Sequence, residues 1–175
     1  MKKVAILTAE GYEKSELDSP RAALEDAGYK VEILSPVDGP IKSWNNGNWG
    51  DPIEVNHNVN KVKVNAKDYE ALIIPGGVIN PDKLRRCKNS MSLIQDFDQA
   101  KIPIASICHG PQALIEANVV KNKKMTSFSS IKKDLENAGA NWIDEEVVQD
   151  GHLITSRSPE DLSAFNNQIK AALKA

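Results

Sequence analysis

The chain has 175 residues, 41% hydrophobic and 26% charged, with a formal net charge of −2. That length fits one domain with a substantial core, and the charge balance gives no reason to expect nucleic acid or an anionic membrane as partner. No apolar stretch reaches membrane-spanning length. The apolar run at residues 4–7 is too short for a signal peptide, and Glu10 and Glu13 follow at once. The expectation is a single cytoplasmic domain over residues 1–175. The two cysteines, Cys87 and Cys108, suggest no disulfide framework, and no structural zinc spacing is present. No cofactor or metal is called for.

Residues 3–9 predict a first strand, apolar enough to be central in a parallel sheet. Residues 13–27 predict a helix with Leu17, Ala23, Leu24 and Ala27 near one face, kinked or restarted at Pro20 and stopped by Gly28. Residues 30–35 predict a second strand. Residues 36–60 are polar and irregular, and the alternation of Ile53, Val55 and His57 predicts a hairpin there. Trp44 and Trp49 in this loop fit a pocket wall, a subunit contact or a local mini-core.

Residues 71–77 predict a buried strand closing in Gly76-Gly77. That pair is either an ordinary turn or a set of backbone donors for a developing oxyanion. Pro81 to Arg85 opens a short helix, with Asp82 in its first turn. Ser90 is placed to cap a helix reaching residue 100, with Leu93, Ile94 and Phe97 inward. Cys87 sits in a basic, exposed turn and is taken as incidental. Residues 121–124 form a solvated basic turn. Residues 131–138 predict a helix ended by Gly139, and residues 147–156 a hairpin about Asp150-Gly151. Ser158-Pro159-Glu160-Asp161 starts the last helix, whose buried stripe is Leu162, Phe165, Ile169 and Leu173.

The chemistry concentrates at residues 102–111. A buried strand breaks at Cys108-His109-Gly110-Pro111, and a helix follows. Ser106-x-Cys108-x-Gly110 has the form of a nucleophile elbow with Cys in place of Ser. The helix N-terminus is expected to stabilise a thiolate, with His109 as base or cationic partner. The plainer reading is a small buried Cys beside a packing His. Glu16 follows the first strand and reaches the same sheet edge if the two strands are parallel. From spacing alone the favoured reading is a solvated helix glutamate among Glu13, Lys14 and Asp18. Alternating strands and helices give an α/β fold with a mostly parallel central sheet.

These residues resemble the PfpI family nearly end to end. The resemblance rests on Glu13-x-x-Glu16, Pro75-Gly76-Gly77, Pro81-Asp82-x-Leu84-Arg85 and Ala105-x-Ile107-Cys108-His109-Gly110-Pro111-Gln112. It continues through Lys132-Lys133-Asp134-Leu135-x-Asn137-Ala138-Gly139-Ala140 and Thr155-Ser156-Arg157-x-Pro159-x-Asp161-Leu162. It implies a flavodoxin-like three-layer sandwich within the class I glutamine-amidotransferase-like superfamily. It further implies Cys108 as nucleophile, Glu16 as proton donor to the sulfur, and His109 as base. Asp82 of a neighbouring subunit would orient His109, and the N–H groups of Gly77 and His109 would form the oxyanion hole. Two features depart from the pattern: Asp82 stands where some members have Glu, and the Val78-Ile79-Asn80 segment is one residue longer.

The implied function is a stress-protective cysteine hydrolase, deglycase or glyoxalase-type enzyme acting on a small carbonyl substrate or a glycated side chain. A peptidase or amidase role through the same nucleophile is the older family label. The implied assembly is a homo-oligomer with the site completed across an interface. The alternative from another class is a redox sensor or chaperone-like protein using an oxidisable Cys108. A glutamine amidotransferase proper is set aside, because the late His152 is followed by Leu153-Ile154 and lacks the His-x-Glu pair.

Overall fold

The computed structural model describes residues 1–174. Its core strands are short apolar runs buried on both faces, as a sheet covered by helices on each side requires. They are β1 (Lys3–Leu7), β2 (Lys30–Ser35), β6 (Leu72–Ile74), β7 (Ile104–Ile107) and β11 (Leu153–Ser156). With β5 (His57–Asn58) and β10 (Val148–Asp150) they form a seven-stranded sheet in the order β10-β11-β7-β6-β1-β2-β5. Every neighbouring pair is parallel except β10–β11. The expected α/β flavodoxin-like sandwich is therefore present.

Alternate side chains go to opposite faces. On one face Ala5, Leu7, Leu72, Ile74 and Ile104 pack against α2 (Ile79–Leu84), α3 (Lys88–Gln99), α4 (Pro111–Glu116) and α5 (Lys132–Asn137). On the other, Val4, Ile6, Ile33, Ile73 and Ile107 meet α1 (Lys14–Asp26) and α6 (Leu162–Lys174) through Leu17, Leu24, Phe165 and Ile169. Two small pairings lie outside the main sheet. One is the antiparallel hairpin β3 (Ile41–Asn45) and β4 (Asn48–Ile53), the other the parallel pair β8 (Lys124–Met125) and β9 (Asn141–Trp142).

Several local expectations are corrected. The hairpin expected within residues 36–60 is present and turns at Asn46-Gly47, both at positive φ (50° and 78°), but its second strand ends at Ile53 and does not take in Val55 and His57. That dipeptide suits a tight hairpin turn and carries the signal that weak alternation did not. Helix α1 runs on through Pro20 with no restart, so the Glu16 carbonyl lacks its usual partner four residues on. Helix α3 begins at Lys88 and is capped by Cys87, whose sulfur accepts the Ser90 N–H at 3.4 Å; Ser90 is buried inside the helix. Ser158 makes no side-chain cap, and a 3-10 turn at Pro159–Asp161 precedes α6.

Glu32 is a buried acid within β2, and it is fully served. It receives the Tyr69 hydroxyl at 2.7 Å and pairs with Lys30 at 2.9 Å and Lys3 at 3.5 Å. Burial opposes its ionisation, but these partners outweigh burial and bring its pKa down to about 2.

Phe165 is fully buried where α6 meets the sheet. Phe165→Ala is expected to lower the unfolding free energy by roughly 3–5 kcal/mol through lost burial and a residual cavity. Urea denaturation measures this; a loss below about 1 kcal/mol would show that α6 is not anchored through this ring.

Candidate active site

Three chain segments leave the carboxyl edge of adjacent parallel strands and converge, as ligand sites in open α/β sheets do. They are the β1–α1 loop leading to Glu16, the Pro75-Gly76-Gly77 loop after β6, and the Cys108 elbow after β7. Cys108 sits at φ 63°, a left-handed conformation unfavourable for a side chain. The fold holds it there from both sides. Its N–H donates to the Ser156 carbonyl at 3.1 Å, and its carbonyl accepts the Phe128 N–H at 2.9 Å. A side chain at Gly110 would collide with the Ser106 hydroxyl and sit 2.8 Å from the Ile74 carbonyl, so the elbow needs glycine there.

Glu16 is fully buried. Its Oε1 accepts the Gly76 N–H at 2.9 Å, and its carboxyl lies against the Cys108 side chain. Oε2 is buried and has no well-formed hydrogen bond. Gly76 is wedged between the two: a Cβ there would stand 2.5 Å from Glu16 Oε1 and 2.7 Å from Cys108 Cβ. Glycine is what lets carboxyl and sulfur meet.

Burial raises Glu16 to about 8, with help from the charge of Glu13; the Gly76 N–H and the Cys108 side chain offset only part of this. Burial also pushes the Cys108 thiol up to about 12, reinforced by the Glu16 charge. The backbone N–H groups of Gly77 and His109 bond to the sulfur and oppose the rise without cancelling it. The expected depression of the thiol by a helix N-terminus is therefore corrected. Helix α4 is only six residues long, and Cys108 is 8% exposed. Two acids in one dry corner cannot both ionise, so the pair keeps at least one proton through neutral pH.

His109 Nδ1 lies 3.2 Å from Cys108 Sγ, and Nε2 lies 3.1 Å from Ser130 Oγ. Its ring stacks on Phe128 with centroids 4.8 Å apart and planes at 25°. Burial lowers its pKa, which favours a neutral imidazole able to accept a proton. Asp82 is exposed on α2 and makes no hydrogen bond or ion pair with His109 within the chain. Ser130 and Phe128, absent from the sequence reading, hold the imidazole instead. The Ser129-Ser130 pair ahead of a helix had no spacing that pointed to His109.

Above the sulfur opens a cleft of about 500 Å³, walled by Glu13, Trp44, Val78, Ile79, Phe128 and Pro159. Trp44 is thus a pocket wall. Trp49 supports it edge-on, with centroids 4.8 Å apart.

Asn80 is a second residue the sequence did not flag. It is fully buried; Oδ1 accepts the Ala9 N–H at 2.6 Å and Nδ2 donates to the Pro75 carbonyl at 2.9 Å. It ties the loop that leads to Glu16 to the loop that carries Gly76 and Gly77. Helix α2 starts within the Val78-Ile79-Asn80 segment, at Ile79. Among the described residues, no group of His, Cys, Asp or Glu is arranged to hold a metal ion.

A family model described as DJ-1/PfpI matches residues 2–172. The chain belongs to the DJ-1/PfpI family. It is 40% identical over 173 residues to a Bacillus subtilis protein named "Putative cysteine protease YraA", covering 99% of both chains. Among solved structures it superimposes with TM-score 0.93 and 36% identity on an Anabaena variabilis protein containing DJ-1/ThiJ/PfpI-like and ferritin-like domains. That match covers 99% of this chain and 48% of the other, so the chain spans about half of that relative's length. Drosophila melanogaster DJ-1beta matches with TM-score 0.86 and 27% identity, covering 98% of this chain and 90% of that one.

An acid whose folded pKa lies above its unfolded value stabilises most at low pH and loses that contribution as pH rises. For Glu16 the window runs from 4.5 to about 8. Wild type is expected to lose on the order of 3–5 kcal/mol more stability than Glu16→Gln across that window. Urea midpoints at pH 5 and pH 8 measure it, and parallel pH profiles would show that Glu16 is not buried neutral. Asn80→Ala strands a buried donor and a buried acceptor. It is expected to cost roughly 2–4 kcal/mol and to slow Cys108 alkylation; an unchanged alkylation rate would remove Asn80 from the site's support.

Proposed function

We propose that this DJ-1/PfpI protein is a cysteine-dependent enzyme that acts on small reactive carbonyl compounds or their adducts. The observation that carries the reading is the Cys108 sulfur 3.2 Å from a His109 imidazole whose basicity is lowered, beside a buried carboxyl that keeps its proton. Cys108 adds to the aldehyde carbon, and the carbonyl electron pair moves onto oxygen. His109 takes the thiol proton. The Gly77 and His109 N–H groups, which bond to the sulfur at rest, then bind the oxygen as negative charge develops there. Glu16 offers its proton to the same corner. With a 2-oxoaldehyde the net change adds one water: the aldehyde carbon is oxidised to the acid and the adjacent ketone carbon is reduced to the alcohol. No external oxidant is needed.

Hydrolysis of an amide or peptide could use the same nucleophile, and the name of the Bacillus subtilis relative favours that runner-up. An assembly in which Asp82 of the partner subunit approaches His109 belongs to the same proposal. Both ring nitrogens already have partners within the chain, so that carboxylate would share Nε2 with Ser130 or displace it.

Methylglyoxal consumption by wild type and Cys108→Ser tests the reading. Wild type is expected to turn over, with kcat/KM falling above about pH 8 as Glu16 gives up the proton it offers. Cys108→Ser is expected to lose at least about a thousandfold. If wild type leaves methylglyoxal untouched while peroxide oxidises Cys108, the redox-sensor alternative replaces this one.

A further inference from the structure

We propose that the cleft selects carbonyl compounds bearing an aryl or similarly flat apolar group and no negative charge. The inference deepens the carbonyl reading above by naming its substrate class. Trp44 and Phe128 line the cleft with the sulfur, and each is 38% exposed. Both are fixed relative to the reacting atoms. The Trp44 N–H donates to the Tyr12 carbonyl at 2.9 Å, next to Glu13, while the Phe128 N–H donates to Cys108 itself. Trp49 backs Trp44, and His109 backs Phe128, so each ring keeps its place at no cost to the substrate. Val78, 66% exposed, extends the apolar mouth. A flat apolar substituent would cover surface that water now meets.

Charge supplies the second half of the selection. Among the described residues lining the cleft there is no Lys or Arg, while Glu13 and Glu16 both face it. Glu13 is half-buried, and its charge is already felt at Glu16. A substrate carboxylate entering here would meet a like charge with no cation to offset it.

The test uses Cys108 alkylation, which does not depend on turnover. Rates for iodoacetamide, iodoacetate and N-phenyl-iodoacetamide are read by mass spectrometry at Cys108 and divided by the rate of each reagent with free glutathione. The phenyl reagent is expected to be favoured over iodoacetamide by about tenfold, and iodoacetate disfavoured by about tenfold. Trp44→Ala should erase the phenyl preference, and Glu13→Gln should narrow the gap between iodoacetamide and iodoacetate. Equal normalised rates for the three reagents would overturn the inference. So would a Trp44→Ala variant that keeps the phenyl preference but sediments as a smaller species, which would make the rim a contact between copies. Failure here with methylglyoxal turnover intact removes only the selectivity; the expected ratios without turnover remove only the proposed reaction.

Discussion

The protons retained where Glu16 and Cys108 meet out of water are the constraint on which the site depends. Neither group has a cation for company. Glu16 has one backbone donor, from Gly76, and the sulfur has two, from Gly77 and His109. That is too little solvation for two anions at contact distance, so one of the groups stays protonated. Glu32 shows that burial alone does not decide the outcome. It is 4% exposed, yet the Tyr69 hydroxyl and two lysines bring its carboxyl down to about 2. Glu16, with one N–H and the Glu13 charge nearby, moves the other way to about 8. The same side chain is a structural anion in one place and a proton store in the other because its donors differ.

The parallel sheet makes this arrangement rigid. Because β1, β6 and β7 lie side by side and run in one direction, their three exits open at one edge. Backbone contacts then join the loops to each other. The Glu13 N–H donates to the Gly76 carbonyl at 3.2 Å, the Gly11 N–H to the Lys42 carbonyl at 2.8 Å, and Asn80 bridges Ala9 and Pro75. The chain of links runs from the Trp hairpin through Glu13 to the Gly76–Gly77 loop. A shift in any one of these segments therefore reaches the sulfur.

The central strands, the elbow and the final amphipathic helix were legible because each rests on local pattern: a buried apolar run, Pro111 and Gly110 after a cysteine, and a stripe at Phe165 and Ile169. The hairpin lies in the expected segment, but its turn was not located because the signal for it is a dipeptide, Asn46-Gly47, and not the alternation of Ile53, Val55 and His57. Ser90 misled as a cap because the helix starts three residues earlier, where the Cys87 sulfur accepts the Ser90 N–H. Spacing alone favours a solvated Glu16, since it stands beside Glu13, Lys14 and Asp18, and the structure corrects this by burying it completely. Its burial is set by packing against β6 and β7, more than fifty residues away in sequence. Asn80, Ser130 and Phe128 were illegible for the same reason: their partners Ala9, Pro75, His109 and Cys108 are fixed by tertiary structure.

The surroundings of His109 decide the direction in which the proton moves. For Nδ1 to accept from sulfur, the hydrogen of the neutral ring must sit on Nε2, where it points at Ser130 Oγ. When Nδ1 gains a proton, Nε2 remains a donor, so Ser130 serves both states without rearrangement. Burial disfavours the resulting imidazolium, as the lowered pKa of His109 shows, so the ring is a relay and not a resting cation. A thiol raised to about 12 beside a weakly basic relay is a poor nucleophile at rest. In the reaction we propose, sulfur becomes reactive when an electrophile arrives to take its electron pair while the backbone N–H groups of Gly77 and His109 turn to the new oxyanion. Activation is thus tied to occupancy of the cleft, and an empty site leaves Cys108 protonated.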